Sequence, residues 1–266
     1  MSGHALITGA ASGIGAAIAH RFATHGWAVS GADVRTEELA NQMAGLARAG
    51  TSLPCDLADA TATTALIDRA WAAAGPVHAL VNAAGIYPAC GFLGLDAELW
   101  DRVQAVNVRA PMLLIRALAE RAIVAGTDTV VVNISSGAAL RARPGAAHYS
   151  TSKAALEMLT RAAAVELGGH GIRVNAVSPG FVTVDSTANP VTERYAAAVS
   201  INPLGRRGEP ADIAAAVLWL ASPEAAWVTG TILRVDGGTS AGTTTLPEHW
   251  PELTDIQTPS TQGAPQ

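Results

Sequence analysis

At 266 residues, 49% hydrophobic and 15% charged, the chain has the length and composition of one well-packed α/β domain, and a disordered or coiled-coil polymer is excluded. A net charge of −5 with 17 Lys+Arg and no basic cluster excludes a nucleic-acid or anionic-membrane partner. No apolar run reaches a membrane span, no basic leader precedes the first strand, and Cys55 and Cys90 fit neither a metal site nor a disulfide framework, so a reducing cytoplasm is the expected compartment.

In chain order, an apolar strand is predicted over 4–8, then a Gly-rich turn and a helix over 14–24. A second strand spans 27–32 and ends at Asp33, a helix spans 36–49, a third strand 52–55 and a helix 61–74. The fourth strand, 78–81, closes on Asn82-Ala83-Ala84-Gly85, and a long helix over 96–125 is expected to bend at Pro111. A fully apolar fifth strand covers 129–134, a helix 148–167, a sixth strand 172–177, a helix 211–221 and a last strand 231–235. Short apolar strands alternating with helices predict a Rossmann-like, doubly wound, parallel seven-stranded sheet covered on both faces. Residues 1–245 form a single domain in this reading, with a substrate lid at about 181–207 that includes a helical stretch over 191–200. Residues 246–266, rich in Pro and Thr, form an appended tail.

The first turn, Thr8-Gly9-Ala10-Ala11-Ser12-Gly13-Ile14-Gly15, is spaced G-x-x-x-G-x-G, which misses the G-x-G-x-x-G pattern. Its context still points to a dinucleotide site. Small residues between a first strand and a helix let backbone N–H groups approach a pyrophosphate at the helix N-terminus. Asp33 ends the second strand, where a carboxylate would take the adenosine ribose hydroxyls and repel a 2′-phosphate. The expected cofactor is therefore NAD, with NADP less favoured, although Arg35 two residues on could bind that phosphate.

In the helix over 148–167, Tyr149 and Lys153 stand one turn apart on one face. Alone, Y-x-x-x-K also fits a core tyrosine beside a solvated lysine. A free phenol titrates near ~10, so a nearby cation is one way to make it a usable acid and base.

Taken in order, these stations resemble the short-chain dehydrogenase/reductase family in its compact single-domain form. They are the turn over 8–15, Asp56-Leu57 after the third strand, Asn82–Gly85 after the fourth, and Asn107 in the long helix. Ser136 follows the fifth strand, thirteen residues before Tyr149, and Pro179-Gly180 follows the sixth. The likeness covers about 3–238. It implies an NAD(H)-dependent oxidoreductase in which Tyr149 is the general acid/base and Ser136 holds the substrate oxygen. Lys153 lowers the Tyr149 pKa and binds the nicotinamide ribose, and Asn107 holds a water that links Lys153 to solvent. It also implies cofactor contacts from Gly9, Ser12, Gly13, Ile14, Gly15, Asp33, Asp56, Leu57, Asn82, Ala83, Gly85, Tyr149, Lys153, Pro179, Gly180 and Val182, with no metal. For Asn82–Gly85, turn chemistry that only stabilises the sheet stays open.

The chain departs from the family pattern at Val184, where a threonine commonly holds the nicotinamide carboxamide. Thr183 or Ser186 would substitute, or the backbone at Val182 would serve. His148 reads as a residue of the pocket rim, with substrate contact as the alternative. The substrate-side segments 86–95, 137–147 and 181–207 are mostly small and apolar. They favour a secondary alcohol or ketone of hydrophobic body, cyclic ones included, without a required phosphate or carboxylate anchor. A 3-oxoacyl-thioester reductase would need a basic entrance, for which Arg141, Arg143, Arg206 and Arg207 are the candidates. A catalytically inactive nicotinamide-binding sensor or scaffold is the reading from another class. Against it stands the intact set Asn107, Ser136, Tyr149 and Lys153. A nucleotide-sugar epimerase or dehydratase lacks room for its larger C-terminal domain. The resemblance further implies a homotetramer, with Ala154, Ala155, Ala162 and Ala163 permitting close helix approach.

Overall fold

The computed structural model describes residues 3–184, 192–243 and 246. Its strands are β1 His4–Thr8, β2 Ala28–Asp33, β3 Thr51–Pro54, β4 Ala79–Asn82, β5 Thr129–Ile134, β6 Ile172–Pro179 and β7 Ile232–Val235. They form one sheet in the order β3-β2-β1-β4-β5-β6-β7, parallel throughout. The helices are α1 Gly13–Thr24, α2 Thr36–Ala44, α3 Ala60–Ala74, α4 Ala97–Gln104, α5 Ala110–Ala125, α6 Ala147–Leu167, α7 Glu193–Val199 and α8 Pro210–Ala221.

The alternation of a strand sends its side chains to two cores. On β1, Ile7 joins Ile18 and Phe22 of α1, Leu39 and Met43 of α2, and Ile213, Val217 and Leu220 of α8. Its neighbour Leu6 joins Leu66 and Ile67 of α3, Leu114 and Leu118 of α5, and Ala164 of α6 on the opposite face. β5 divides the same way, with Val130 and Val132 on one side and Val131 on the other. All six β5 residues are buried, which is why its central valines form a continuous apolar run rather than an alternating one. Each Leu, Ile or Phe so buried contributes about 1.5–3 kcal/mol. From β1 the chain builds outward to β2 and β3, then returns to lay β4 on the other side of β1. The C-terminal ends of β1 and β4 therefore open a crevice at the switch point of the sheet, where ligands of such folds bind.

The structure corrects two predicted elements. The helix expected over 36–49 stops at Ala44, because Gly45 ends it and the Gly50 N–H turns back to the Met43 carbonyl at 2.9 Å. The chain thereby folds Leu46 into the core instead of extending it along a helix. The long helix starts at Asp96, whose carboxylate caps the Leu99 N–H at 2.8 Å. Its irregularity takes the form of a π-helical turn, Ala105–Arg109, directly ahead of Pro111. Pro111 has no N–H to return to the carbonyl four residues back, and the ladder widens ahead of it. Other ends move by one or two residues. Within the expected lid, Thr192 caps α7 through the Tyr195 N–H, while 185–191 lie outside the described residues. The expected tail 246–266 also lies outside them, apart from Leu246. Among the described residues no helix is long and apolar enough to cross a membrane.

Candidate active site

The turn after β1 is shaped by closeness. Gly9 adopts φ +69°, and a Cβ there would stand 2.8 Å from the Ala84 backbone. A Cβ on Gly15 would stand 2.1 Å from the Gly9 carbonyl oxygen, so α1 can begin against the turn only with glycine at that position. The Thr8 hydroxyl accepts the Ala83 and Ala84 N–H groups at 3.1 and 3.2 Å and ties the turn to the end of β4. Ser12 precedes α1 without capping it by its side chain, and the first turn of α1 carries no acid. An anionic pyrophosphate fits this close backbone cradle at a helix N-terminus.

At the end of β2, the Asp33 carboxylate accepts from the Ala11 N–H at 3.2 Å and from the Arg35 N–H at 3.0 Å. The Arg35 guanidinium also reaches Asp33, through Nε at 3.2 Å, and donates to the Ser12 hydroxyl at 2.9 Å. Arg35 is thus clasped across the turn, with its charge offset by Asp33. Asp56 is exposed and accepts from the Ala58 N–H at 2.9 Å. Leu57 is buried in the core, so its side chain is withdrawn from solvent.

Beyond the ends of β5 and β6 opens a cavity of about 900 Å³, whose walls include Ile14, Ala83, Gly85, Ser136, Tyr149, Lys153, Pro179, Gly180 and Val182. Ser136 caps a short turn by accepting the Ala138 N–H at 3.1 Å and stands near enough to the Tyr149 phenol to lower its pKa. Ser135 instead turns into the protein and donates to the Glu157 carboxylate at 2.9 Å. α6 carries both Tyr149 and Lys153. The Lys153 ammonium lies 5.7 Å from the Tyr149 ring centre and donates to the Ile134 carbonyl at 2.8 Å. Burial depresses Lys153 to about 8. Burial also pushes the Tyr149 phenol up, while Ser136 and the nearby Arg143 pull it back. Tyr87 packs on Tyr149 at 5.4 Å between ring centres, and Tyr195 also lines the cavity, so all three tyrosines of the chain meet there.

Asn107 sits in the π-helical turn, fully buried. Its amide accepts the Ile86 N–H at 2.9 Å and donates to the Ile86 carbonyl and the Ser152 hydroxyl at 2.9 and 3.0 Å. Gly85 lies between Asn107 and Lys153, where a Cβ would be 3.4 Å from both side-chain tips. Asn82 is buried, and its amide donates to Asn133 at 2.8 Å, which holds β4 to β5. Of that segment, Ala83 and Gly85 face the cavity.

His148 is not at the rim. It is fully buried, its Nε2 bonds the Pro88 carbonyl at 2.8 Å, and it pins the 86–95 segment to α6. Val184 packs against Gly13, 3.4 Å from where a Cβ would be. Val182 pairs with Gly208 through the flanking Thr183 N–H and Phe181 carbonyl, which leaves Val182's own peptide groups outside that pairing. Ser186 lies outside the described residues. Tyr87 and Tyr195 were not singled out from the sequence, because an isolated tyrosine in an irregular segment carries no periodic or spacing signal.

A parallel sheet with a crevice at its switch point, a close glycine turn, and a phenol–hydroxyl–ammonium set beyond it define a dinucleotide-dependent oxidoreductase site. The family described as enoyl-(acyl carrier protein) reductase matches residues 9–240. Galactitol 2-dehydrogenase (L-tagatose-forming) of Cereibacter sphaeroides is 42% identical over 240 residues, 88% of this chain and 93% of that one. A 2,5-dichloro-2,5-cyclohexadiene-1,4-diol dehydrogenase of Sphingobium indicum is 38% identical over 90% and 96% of the two chains. Among solved structures, 4-hydroxyisoleucine dehydrogenase complexed with NADH is similar at TM-score 0.83 and 31% identity, covering 90% of this chain and 99% of that one. A blue fluorescent protein from a metagenomic library, in complex with NADPH, is similar at TM-score 0.81 and 33% identity, covering 89% and 97%. The chain belongs to the short-chain dehydrogenase/reductase family. It is an oxidoreductase whose dinucleotide crevice is of the kind that holds a nicotinamide cofactor.

Proposed function

We propose that this protein interconverts a secondary alcohol and its ketone, with NAD(H) as the cofactor and Tyr149 as the general acid/base. The observation that carries the reading is that Tyr149 and Ser136 line one cavity with the Lys153 ammonium 5.7 Å from the phenol ring. When bound, the nicotinamide supplies the hydride acceptor or donor. The Ser136 hydroxyl holds the substrate oxygen, and Tyr149 Oη takes the alcohol proton in oxidation or returns it in reduction. Lys153 favours the phenolate by charge, and Asn107 keeps the Ile86 backbone in place behind it. Burial alone would hold Tyr149 protonated at neutral pH, so oxidation is expected to gain with rising pH and reduction to lose.

Small apolar walls at Ala138, Ala142, Val182 and Val199 suit a compact, ring-sized body, and the names of the relatives include a polyol and a cyclic diol dehydrogenase. Asp33 at the ribose end supports NAD, since Arg35 is already engaged by Asp33 and Ser12. Apolar residues exposed on α5 and α6 support a homotetramer, and the free thiols Cys55 and Cys90 suit a cytoplasmic enzyme. The thioester-reductase alternative is less supported, because Arg206 and Arg207 are paired with Asp212 and Glu193.

The test is a panel of neutral cyclic, aromatic and acyl-thioester ketones run with NADH and with NADPH. Tyr149→Phe should lower turnover by about 10²–10³ with NAD affinity changed less than about twofold. Turnover near wild type in that variant removes Tyr149 from the mechanism, and a clear preference for NADPH overturns the cofactor assignment.

A further inference from the structure

Of the charged side chains that line the cavity over Tyr149 and that this chemistry does not use, Arg143 stands apart. Arg143 enters from the loop between Ser136 and α6. Its guanidinium carbon lies 6.0 Å from the Tyr149 ring centre and 5.7 Å from that of Tyr195. The neighbouring arginines are already engaged. Arg207 pairs with Glu193, Arg206 grips Asp212 through two 2.8 Å bonds, and Arg141 donates to the Thr239 carbonyl at 2.9 Å. Among the described residues, Arg143 has neither a carboxylate partner nor a side-chain hydrogen bond, only its two aromatic neighbours.

A half-buried guanidinium flanked by rings is partly stripped of water and partly compensated by their π faces. That leaves a rigid fork of N–H donors inside a reaction cavity, with no acceptor among the described residues to take them. A planar anion with two oxygens fits such a fork best. Its position is specific: the same side chain approaches both the proton-transfer phenol and the lid helix α7, so whatever it grips lies beside the reacting carbon and under Tyr195.

We propose that Arg143 anchors the substrate and that the alcohol handled at Tyr149 and Ser136 is a hydroxy acid, reduced from an oxo acid, whose carboxylate Arg143 holds a few bonds from the carbinol carbon. The assignment rests on the reading of Tyr149 as the proton-transfer residue. It replaces the expectation, drawn from the apolar segments, of a substrate without an anionic anchor.

Two ketones matched except in charge test it: 3-oxocyclohexanecarboxylate and its methyl ester, each with NADH and the full-length enzyme. Wild type is expected to favour the acid at least tenfold in kcat/KM. Arg143→Gln should collapse the acid-to-ester ratio to near one, a loss of about 10–100-fold that matches a missing charged hydrogen bond. Arg143→Lys should restore the ratio in part, since the charge returns without the fork. Calorimetry gives a readout independent of turnover. The NADH-loaded enzyme should bind cyclohexanecarboxylate, and bind it more weakly by a similar factor in Arg143→Gln, while cyclohexanecarboxamide binds weakly to both.

A wild-type ratio of one or less overturns the proposal. So does a ratio that survives Arg143→Gln, which would mean that Arg143 acts through Tyr149. Reduction of neutral ketones by an enzyme that neither binds nor reduces the acid removes the anion site alone. Arg143-dependent binding of cyclohexanecarboxylate by an enzyme that reduces no ketone removes the reaction instead.

Discussion

Lys153 shows how the site trades stability for function. Its ammonium is buried with one hydrogen bond, to the Ile134 carbonyl, and burial depresses its pKa from 10.5 to about 8. A lysine with a lowered folded-state pKa destabilises the fold while it is charged. The cost is full below the folded pKa and is relieved as pH rises toward the unfolded value. A depression of that size is worth about 3 kcal/mol. Lys153→Met should therefore raise the stability of the cofactor-free protein by about 1–3 kcal/mol at pH 7 while abolishing turnover, and the gain should fade by about pH 10. Urea unfolding at the two pH values measures it. A destabilised variant at pH 7 would mean that the bond to Ile134 outweighs the desolvation. Tyr149 and Lys153 could be found in the sequence because their spacing is local, one helical turn. Arg143 could be named as a candidate but not placed, because nothing in a loop fixes where a long side chain ends.

At the scale of elements, the π-helical turn Ala105–Arg109 matters most for the site. It carries Asn107 inward, where one amide satisfies both the N–H and the carbonyl of Ile86 and meets Ser152 on α6. Three elements thus share a single side chain: the helix of Asn107, the loop after β4, and α6. Asn107→Ala would take this partner from the two half-buried Ile86 groups, at a cost of about 1–3 kcal/mol. The midpoint of urea unfolding should fall accordingly. A change under about 1 kcal/mol would show that the loop after β4 is held by other contacts, such as the His148 bond to Pro88. The existence of the long helix was legible in its apolar periodicity, and Pro111 signalled a disturbance. Its form was not legible, because a proline bend and a widened turn share the same signal.

For the molecule as a whole, α6 is buried on one side against β6 and β5 and leaves the other side bare. Ala154, Met158, Ala162 and Val165 are exposed there, with Met158 at 61% and Val165 at 82%, and α5 adds Met112, Ile123 and Val124. Ala163, by contrast, packs on the core, so only part of the expected alanine row is free. Exposed apolar side chains at helical spacing next to small alanines suit close contact with a second copy. Sedimentation velocity at micromolar protein should show a tetramer, and Met158→Arg should shift it to smaller species by burying an unpaired charge. A wild-type protein that sediments as a stable monomer refutes the assembly.

By itself the amino-acid sequence determined the fold class, the strand and helix succession, the glycine turn, and the ordered set Asn107, Ser136, Tyr149 and Lys153. The elements and the turn rest on local patterns, apolar period and the backbone freedom of glycine, whereas the set of four rests on the resemblance of the ordered stations to the family. Only the tertiary structure decided which side chains face the cavity. It turned Ser136 toward Tyr149 and Ser135 toward Glu157, drew Asn82 into the sheet and His148 beneath the 86–95 segment, and left Arg143 beside two tyrosines with no acid paired to it among the described residues. The reason is physical. Adjacent residues at a strand end point to opposite sides, and the partners that satisfy or abandon a polar group come from segments tens of residues away.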